Sequence, residues 1–407
     1  MTTDPEQPKT RPWVVVVGVL AVAAGLGWSV LKVADDPTSL PMKDFVEYWS
    51  AAKANLAGGN PYDPATLKPY QEEALKAEVE HVTMMWNPPW VLALVTPLGV
   101  LPAAVGHVLF LLVQLAALLL AGTWLWKVYA GPPKLIWVAW LVTLGFAPSV
   151  FIFWWGQIGG LVLLGLAGFL YFHKQDRPIP AGLFVALTAI KPHLLFAVGL
   201  VLILDAVVSK RTRIAVAVGA VALAAAAVAA YLMNPAVYAH YAGAGWESPT
   251  GLHISPKNYA QPLVSYWLRE WLAPESFRVQ FVPMLLTAAA VVAYWWGKRA
   301  GWNWPAEAPG LIFASVLTTP YGAWIFDLVV LLVPVIARTV ELVEDRSWRR
   351  PVWFGGLVLL TLAAVFSPWV VQLLTGVFHM PIHYFIGVTP AVLLLWLAVR
   401  PASPTKA

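Results

Sequence analysis

The stretch Ala181–Val208 reads AGLFVALTAI-KPH-LLFAVGLVLILDAVV, an apolar run cut by Lys191-Pro192-His193. One membrane span takes roughly 20 apolar residues, so the run is too long for one span and too short for two full ones. A lysine at the centre of such a helix costs about 2.5–3.5 kcal/mol on insertion scales, and the proline beside it removes a backbone donor. The segment therefore reads as a hairpin of two shortened helices. Ala308–Ala337, interrupted by Thr318-Thr319-Pro320-Tyr321, reads the same way. Broken helices at membrane depth are tolerated only where protein encloses them or a cavity adjoins them. The two breaks point to an interior site.

Around them lie further apolar runs at Trp13–Val33, Val105–Trp126, Leu135–Trp155, Gly159–Phe172, Ile214–Met233, Phe281–Trp296, Val352–Val371 and Tyr384–Val399. The chain is 59% hydrophobic and only 12% charged, against about 25% charged for a soluble domain. That excludes a soluble enzyme with one anchor, a disordered chain and a nucleic-acid binder. The net charge of +5 is spread over short loops and forms no basic patch. Cysteine is absent, which excludes disulfides, thiolate metal sites and cysteine nucleophiles. The sequence predicts an all-α polytopic membrane protein of about 12 transmembrane helices, two pairs of them shortened. Residues 1–407 read as a single membrane domain with short disordered tails at 1–11 and 400–407.

Lys9 and Arg11 precede the first apolar run, which reads as an uncleaved anchor because no A-x-A-like site follows it. With the N-terminus inside, most of the basic residues, among them Lys127, Lys174, Arg211, Arg299 and Arg350, fall on the cytoplasmic side. Both termini are then cytoplasmic, the expected location is the plasma membrane, and two long loops, 34–88 and 234–280, face out. The first of these holds Asp35, Asp36, Asp44, Glu47, Asp63, Glu72, Glu73, Glu78 and Glu80, nine of the 21 acidic residues. Within it, Lys43–Leu56 places Phe45, Tyr48, Trp49 and Ala52 on one side of a helix, as an interfacial amphipathic helix would.

Asp44, at the start of that helix with Tyr48 one turn on, is the first candidate for chemistry. It reads either as an N-terminal cap favoured by the helix dipole or as a general base at the membrane surface. Glu47 and the acids at 72–80 read as a solvated face. Lys191 and His193, beside the free backbone of a helix break, suit an anionic phosphate, although lysine can also snorkel to the interface. Asp327 is an intramembrane carboxylate, functional by default or paired with a lysine. His253 and Lys257 lie on the second long loop, on the same side as Asp44. His107, His173 and His240 read as packing or interfacial residues, and His379 with His383 lacks a third metal ligand. Trp154-Trp155-Gly156-Gln157 and Trp86-Asn87-Pro88-Pro89-Trp90 serve equally as interfacial anchors or as sugar platforms. No Walker motif or GxGxxG occurs, which argues against a soluble nucleotide donor or ATP coupling.

Taken in order, several of these pieces resemble glycosyltransferase family 87, the polyprenol-phosphate-mannose-dependent mannosyltransferases of the GT-C superfamily. They are Asp44-Phe45-Val46-Glu47-Tyr48-Trp49, then Leu56-Ala57-Gly58-Gly59-Asn60-Pro61-Tyr62-Asp63, then Asn87-Pro88-Pro89-Trp90 with Thr96-Pro97-Leu98. Trp155-Gly156-Gln157, Lys191-Pro192 and Thr319-Pro320-Tyr321 through Asp327-Leu328 continue the series. The resemblance implies a GT-C type fold and inverting transfer of a hexose, mannose above all, from a polyprenyl-phosphate sugar to a lipid or glycan hydroxyl on the outer face. It implies Asp44 as the base, and Lys191 as the first cation for the leaving phosphate, with His193, His253 and Lys257 behind it. Tyr48, Gln157 and Asp327 would complete the substrate site. A monophosphate leaving group needs no divalent ion, so neither metal nor cofactor is expected. Another reading of the broken helices is a transporter or flippase of lipid-linked sugars. Two related halves in the hydropathy would favour it, and the sequence has none.

Overall fold

The computed structural model describes residues 42–244, 263–375 and 383–399. The span expected at Trp13–Val33, the loop residues His253 and Lys257, and His379 lie outside the described residues. The described residues from Lys43 onward form one compact unit. Among the described residues every regular element is helical. The α-helices are α1 (Phe45–Leu56), α2 (Pro64–Leu75), α3 (Pro89–Gly99), α4 (Ala103–Val128), α5 (Ile136–Gly145), α6 (Ala147–Trp155), α7 (Gly159–Lys174), α8 (Pro178–Thr188) and α9 (Phe196–Val208). They continue with α10 (Lys210–Met233), α11 (Val237–Ala242), α12 (Val264–Leu272), α13 (Val282–Lys298), α14 (Trp304–Thr318), α15 (Leu332–Leu342), α16 (Arg349–Thr375) and α17 (His383–Ala398).

Among the described residues four segments are long and apolar enough to cross a membrane: Ala103–Val128, Lys210–Met233, Phe277–Gly301 and Arg349–Phe366. Their apolar side chains stay largely uncovered by protein, Leu232, Leu285 and Leu359 among them. Surfaces of that extent need lipid around them. The protein is membrane-embedded.

Both expected breaks are present. α8 ends at Thr188 and α9 begins at Phe196, with Lys191-Pro192-His193 between them; α14 ends at Thr318 and α15 begins at Leu332. A third break was not expected. Leu135–Trp155, read as one span, is the pair α5 and α6, bent by 57°. Pro148 sits in the first turn of α6, where its missing N–H is tolerated, but it cannot extend the hydrogen-bond ladder of α5. Thr361 Oγ1 donates to the freed carbonyl of Gly145 at 2.9 Å.

The interfacial helix expected at Lys43–Leu56 forms as α1, but it does not lie on a surface. Glu47, Ser50 and Asn55 are buried along with Phe45, Tyr48 and Trp49, so the reading of Glu47 as solvated is also corrected. Small residues allow this: a Cβ on Gly99 of α3 would stand 2.8 Å from the Lys53 backbone nitrogen and 2.9 Å from the Ala52 Cβ. Part of the polar side finds partners as well, although the buried Asn55 amide has none among the described residues. Gln71 of α2 donates to Ser50 Oγ at 3.2 Å, and the Trp49 indole donates to the Leu101 carbonyl at 2.9 Å. Periodicity marks which face is apolar, and it is silent on whether neighbours cover the other one.

Away from the breaks, α7, α9, α10 and α14 meet at a buried carboxylate. Asp205 Oδ2 accepts from Thr212 Oγ1 at 2.5 Å and from the Trp304 indole at 2.9 Å. His173 Nε2 lies 3.1 Å from the same threonine oxygen, whose hydrogen is already committed to Asp205. This polar knot is satisfied internally and fixes the ends of the helices whose other ends carry the breaks.

Candidate active site

Asp44 begins α1 with helical backbone angles and makes no side-chain capping bond. The capping reading therefore fails. Its backbone N–H donates to the Trp155 carbonyl at 2.9 Å, which pins the start of α1 to the end of α6. The Asp44 carboxylate accepts instead from Gln157 Nε2, at 2.7 Å. Between these residues Gly156 closes α6 in the left-handed conformation, φ +68°. A Cβ there would come within 2.8 Å of the Phe45 Cβ. Only glycine both turns the chain and lets α1 approach. Gly156→Ala is expected to cost about 1–2 kcal/mol from backbone strain alone, with a further loss from the Phe45 contact. Unfolding of the detergent-solubilised variant measures it, and unchanged stability would contradict this role.

Gln157 is the hub of the site. Its Oε1 accepts from the Tyr48 hydroxyl at 2.9 Å and from Lys191 Nζ at 3.3 Å. Lysine can only donate and a carboxylate can only accept, so the amide orientation is fixed by its neighbours. Lys191 reaches on to Asp327 Oδ1 at 2.6 Å, and the other Asp327 oxygen accepts from the Trp324 backbone N–H at 3.2 Å. Asp327 is only 1% exposed and Lys191 11%. One continuous chain thus runs from Asp44 through Gln157 and Lys191 to Asp327, joining α1, the end of α6 and both broken helices.

His193 stands outside that chain. Its ring packs 4.5 Å from the Tyr321 ring, and its backbone carbonyl accepts from Thr319 Oγ1 at 3.2 Å, so it joins one break to the other. Trp86-Asn87-Pro88-Pro89-Trp90 turns out to hold the first break together. The Trp90 indole donates to the Ala189 carbonyl at 2.9 Å and Asn87 Nδ2 to the Ile190 carbonyl at 3.1 Å. These are carbonyls left orphaned where α8 ends. The second break is held from α12. Ser265 donates to the Thr319 carbonyl at 2.6 Å, and Arg269, through Gln280, supports the Pro320 carbonyl at 2.7 Å for each bond. Clasped at these carbonyls, the two breaks hold the turns that carry Lys191 and Asp327.

Sequence reasoning missed two members of the site. Glu47 is buried one turn from Asp44. Lys43 lies with its ammonium 4.5 Å from the Trp155 ring and 4.8 Å from that of Trp154, a cation beside the carboxylate. Adjacency in sequence to Asp44 was the available signal for Lys43, and helical spacing i, i+3 for Glu47. Burial pushes Asp44 up to about 6, against the opposing pull of the Gln157 hydrogen bond and the Lys191 and Lys43 charges. Asp44 is therefore ionised at neutral pH, yet far more basic than an ordinary aspartate, as a proton-accepting group needs to be.

The sequence model of glycosyltransferase family 87 matches residues 86–320, more than half of the chain. Comparison with curated proteins and with solved structures finds no match. The matched stretch holds Gln157, Lys191, His193 and the first break. Asp44 and Asp327 fall outside it and are tied into it by the hydrogen bonds just described. The match and the all-helical membrane architecture agree: the chain belongs to glycosyltransferase family 87 and is a membrane glycosyltransferase.

Proposed function

We propose that the enzyme transfers a hexose, mannose first among them, from a polyprenyl-phosphate sugar to a hydroxyl of a lipid or glycan acceptor at the outer face of the plasma membrane. The observation that carries this reading is the chain Asp44–Gln157–Lys191–Asp327, which sets a basic carboxylate and a partly buried ammonium at two ends of one glutamine amide. Asp44 takes the proton of the acceptor hydroxyl. The acceptor oxygen then bonds to the anomeric carbon from the face opposite the phosphate, inverting it. The bond from that carbon to the phosphate oxygen breaks, and its electron pair leaves with the polyprenyl phosphate. Lys191 has three N–H donors; Asp327 and Gln157 occupy two, and the third faces the leaving phosphate in this mechanism. Lys43, one residue from Asp44, supplies a second positive charge. His193, His253 and Lys257 are the further candidates for the same phosphate.

An apolar cavity of about 510 Å³ supports the choice of a lipid donor. It is lined by Trp267, Trp271, Val316, Ala323, Leu328 and Pro390 among others, so it adjoins the turn that carries Asp327. An isoprenoid chain lying there would leave its phosphate near Lys191. The test is transfer of radiolabel from polyprenyl-phosphate-mannose to lipid in proteoliposomes, wild type against Asp44→Asn. Label moving only with the wild type supports the reading; equal transfer by both removes Asp44 as the base. Because Lys191 and Lys43 meet a monophosphate, transfer is expected to continue in excess EDTA. Recovery that requires added divalent ion would overturn that part.

A further inference from the structure

We propose that α12 is a helix seated flat in the lipid leaflet beside the site, and that lipid contact on one side of it positions the turn carrying Asp327 on the other. The link to catalysis rests on the reading of Lys191 as the cation for the leaving phosphate. α12 is built inside out. Its polar side chains are the covered ones: Ser265 is fully buried and Arg269 is 7% exposed. Its apolar ones are open, with Val264 and Trp267 exposed, Trp271 at 76% and Leu272 at 71%. At about 3.6 residues per turn, positions 264, 267, 268, 271 and 272 form one stripe, and 265 with 269 form another beside it. A helix facing water would be arranged the other way round. With lipid on the open side the arrangement is the expected one, and tryptophan is a residue that membrane interfaces favour.

Connectivity puts α12 at the required depth. Only residues 273–276 separate it from Phe277–Gly301, a membrane-crossing segment, so it lies at the end of that span. The span is itself uncovered at Leu285 and Leu286. With 9 residues, α12 is too short to cross a bilayer and lies along its surface. Its covered side reaches the site. Ser265 Oγ donates to the Thr319 carbonyl at 2.6 Å, and Arg269 acts through Gln280 on the Pro320 carbonyl, at 2.7 Å for each bond. Just beyond, Gly322 and Ala323 both stand in the left-handed conformation, at φ +73° and +53°. An alanine there is strained and keeps that shape only under restraint from its surroundings. Trp324 then gives its backbone N–H to Asp327, which holds Lys191 at 2.6 Å. α12 supplies the restraint. The apolar cavity also lies between its stripe and Leu328, the neighbour of Asp327, but Leu272 is not among the cavity's walls. A change at Leu272 therefore tests lipid contact apart from donor fit.

The chain has no cysteine, so a single introduced thiol is unique. Spin-labelled Leu272→Cys, in nanodiscs of phosphatidylglycerol and phosphatidylethanolamine without donor or acceptor, is expected to be relaxed by oxygen far more than by a water-soluble nickel chelate. Labelled Trp271→Cys should behave alike, and it replaces the first variant if that one fails to fold. Greater access for nickel would place α12 in water. A label that neither reagent reaches would mean that protein covers the stripe. Either result overturns the proposal, whichever donor the enzyme uses. The coupling has its own readout. Hydrogen exchange over residues 321–328 is expected to quicken about tenfold in Leu272→Glu and in Ser265→Ala, the scale of one buried hydrogen bond, and to keep the wild-type rate in Leu272→Met. Unchanged exchange in Leu272→Glu would overturn the coupling without reference to any substrate. In turnover, Leu272→Glu should lower kcat about tenfold at unchanged donor KM, and Leu272→Met should keep both values. A raised donor KM with kcat intact would make α12 a wall of the donor cavity alone, which also overturns its role in positioning the turn.

Discussion

Asp44→Asn is expected to lower transfer by about 10²–10⁴-fold, the range for removal of a general base, while the protein remains folded and more heat-stable than the wild type at neutral pH. The substitution is close to isosteric, and an amide oxygen at position 44 can still accept from Gln157 Nε2. Geometry is kept and basicity is lost. The stability expectation has a definite sign. Asp44 stands at about 6 in the folded protein against 3.8 for an ordinary aspartate. Between these values the native state binds more protons than the unfolded chain, so the aspartate's contribution to stability falls as pH rises through that window. Asparagine has no such loss. The gain in Tm of the variant over the wild type should be near zero at pH 4, grow through pH 5 and 6, and level off above. Wild-type kcat/KM should rise with pH through the same region, because only ionised Asp44 accepts a proton. A variant less stable than the wild type at pH 7.5 would show that the carboxylate is held by favourable pairing and is not a strained base.

Much of this architecture was legible because membranes make certain residues improbable. Lys191, Pro192 and Asp327 could be singled out in apolar runs since each is costly there without a partner, and the breaks at 191–193 and 318–321 were read with them. The bend between Gly145 and Ala147 escaped notice because nothing charged marks it. Pro148 alone does not distinguish a helix start from a tolerated kink. The burial of α1 was hidden for another reason. Its apolar stripe was correctly read, but Glu47, Ser50 and Asn55 are polar residues sheltered by α2 and α3, and helical periodicity records nothing about such neighbours. The pairings themselves lie beyond any local pattern. Asp44 and Gln157 are 113 residues apart and Lys191 and Asp327 are 136 apart. Order along the chain could place them in one family, whereas only the folded geometry shows that a single amide connects them. The tryptophans near the first break illustrate the converse. Trp90, a candidate sugar platform by type, spends its N–H on the Ala189 carbonyl.

The buried Lys191–Asp327 pair allows support of the fold and support of the reaction to be separated. Lys191→Ala leaves the Asp327 carboxylate, 1% exposed, with the Trp324 N–H but no cation. Breaking such a pair from one side costs about 3–5 kcal/mol, so loss of transfer by this variant alone could reflect unfolding. Lys191→Met combined with Asp327→Asn removes both charges together, and replacing a whole buried pair by neutral groups is often close to neutral for stability. The double variant is expected to regain most of the Tm lost by Lys191→Ala. Its transfer rate should nevertheless stay about 10²–10³-fold below wild type, the loss typical for one preorganised donor to a developing anion. Asp327→Asn alone keeps the ammonium and its bond to Gln157, so it should lie between the wild type and the double variant in rate. If the double variant recovered transfer together with stability, Lys191 would be a structural counter-charge, and the leaving phosphate would have to be met by Lys43 and the remaining candidates. If stability returns and transfer does not, the ammonium acts in the reaction, and Asp327 serves to hold it at depth between the two broken helices.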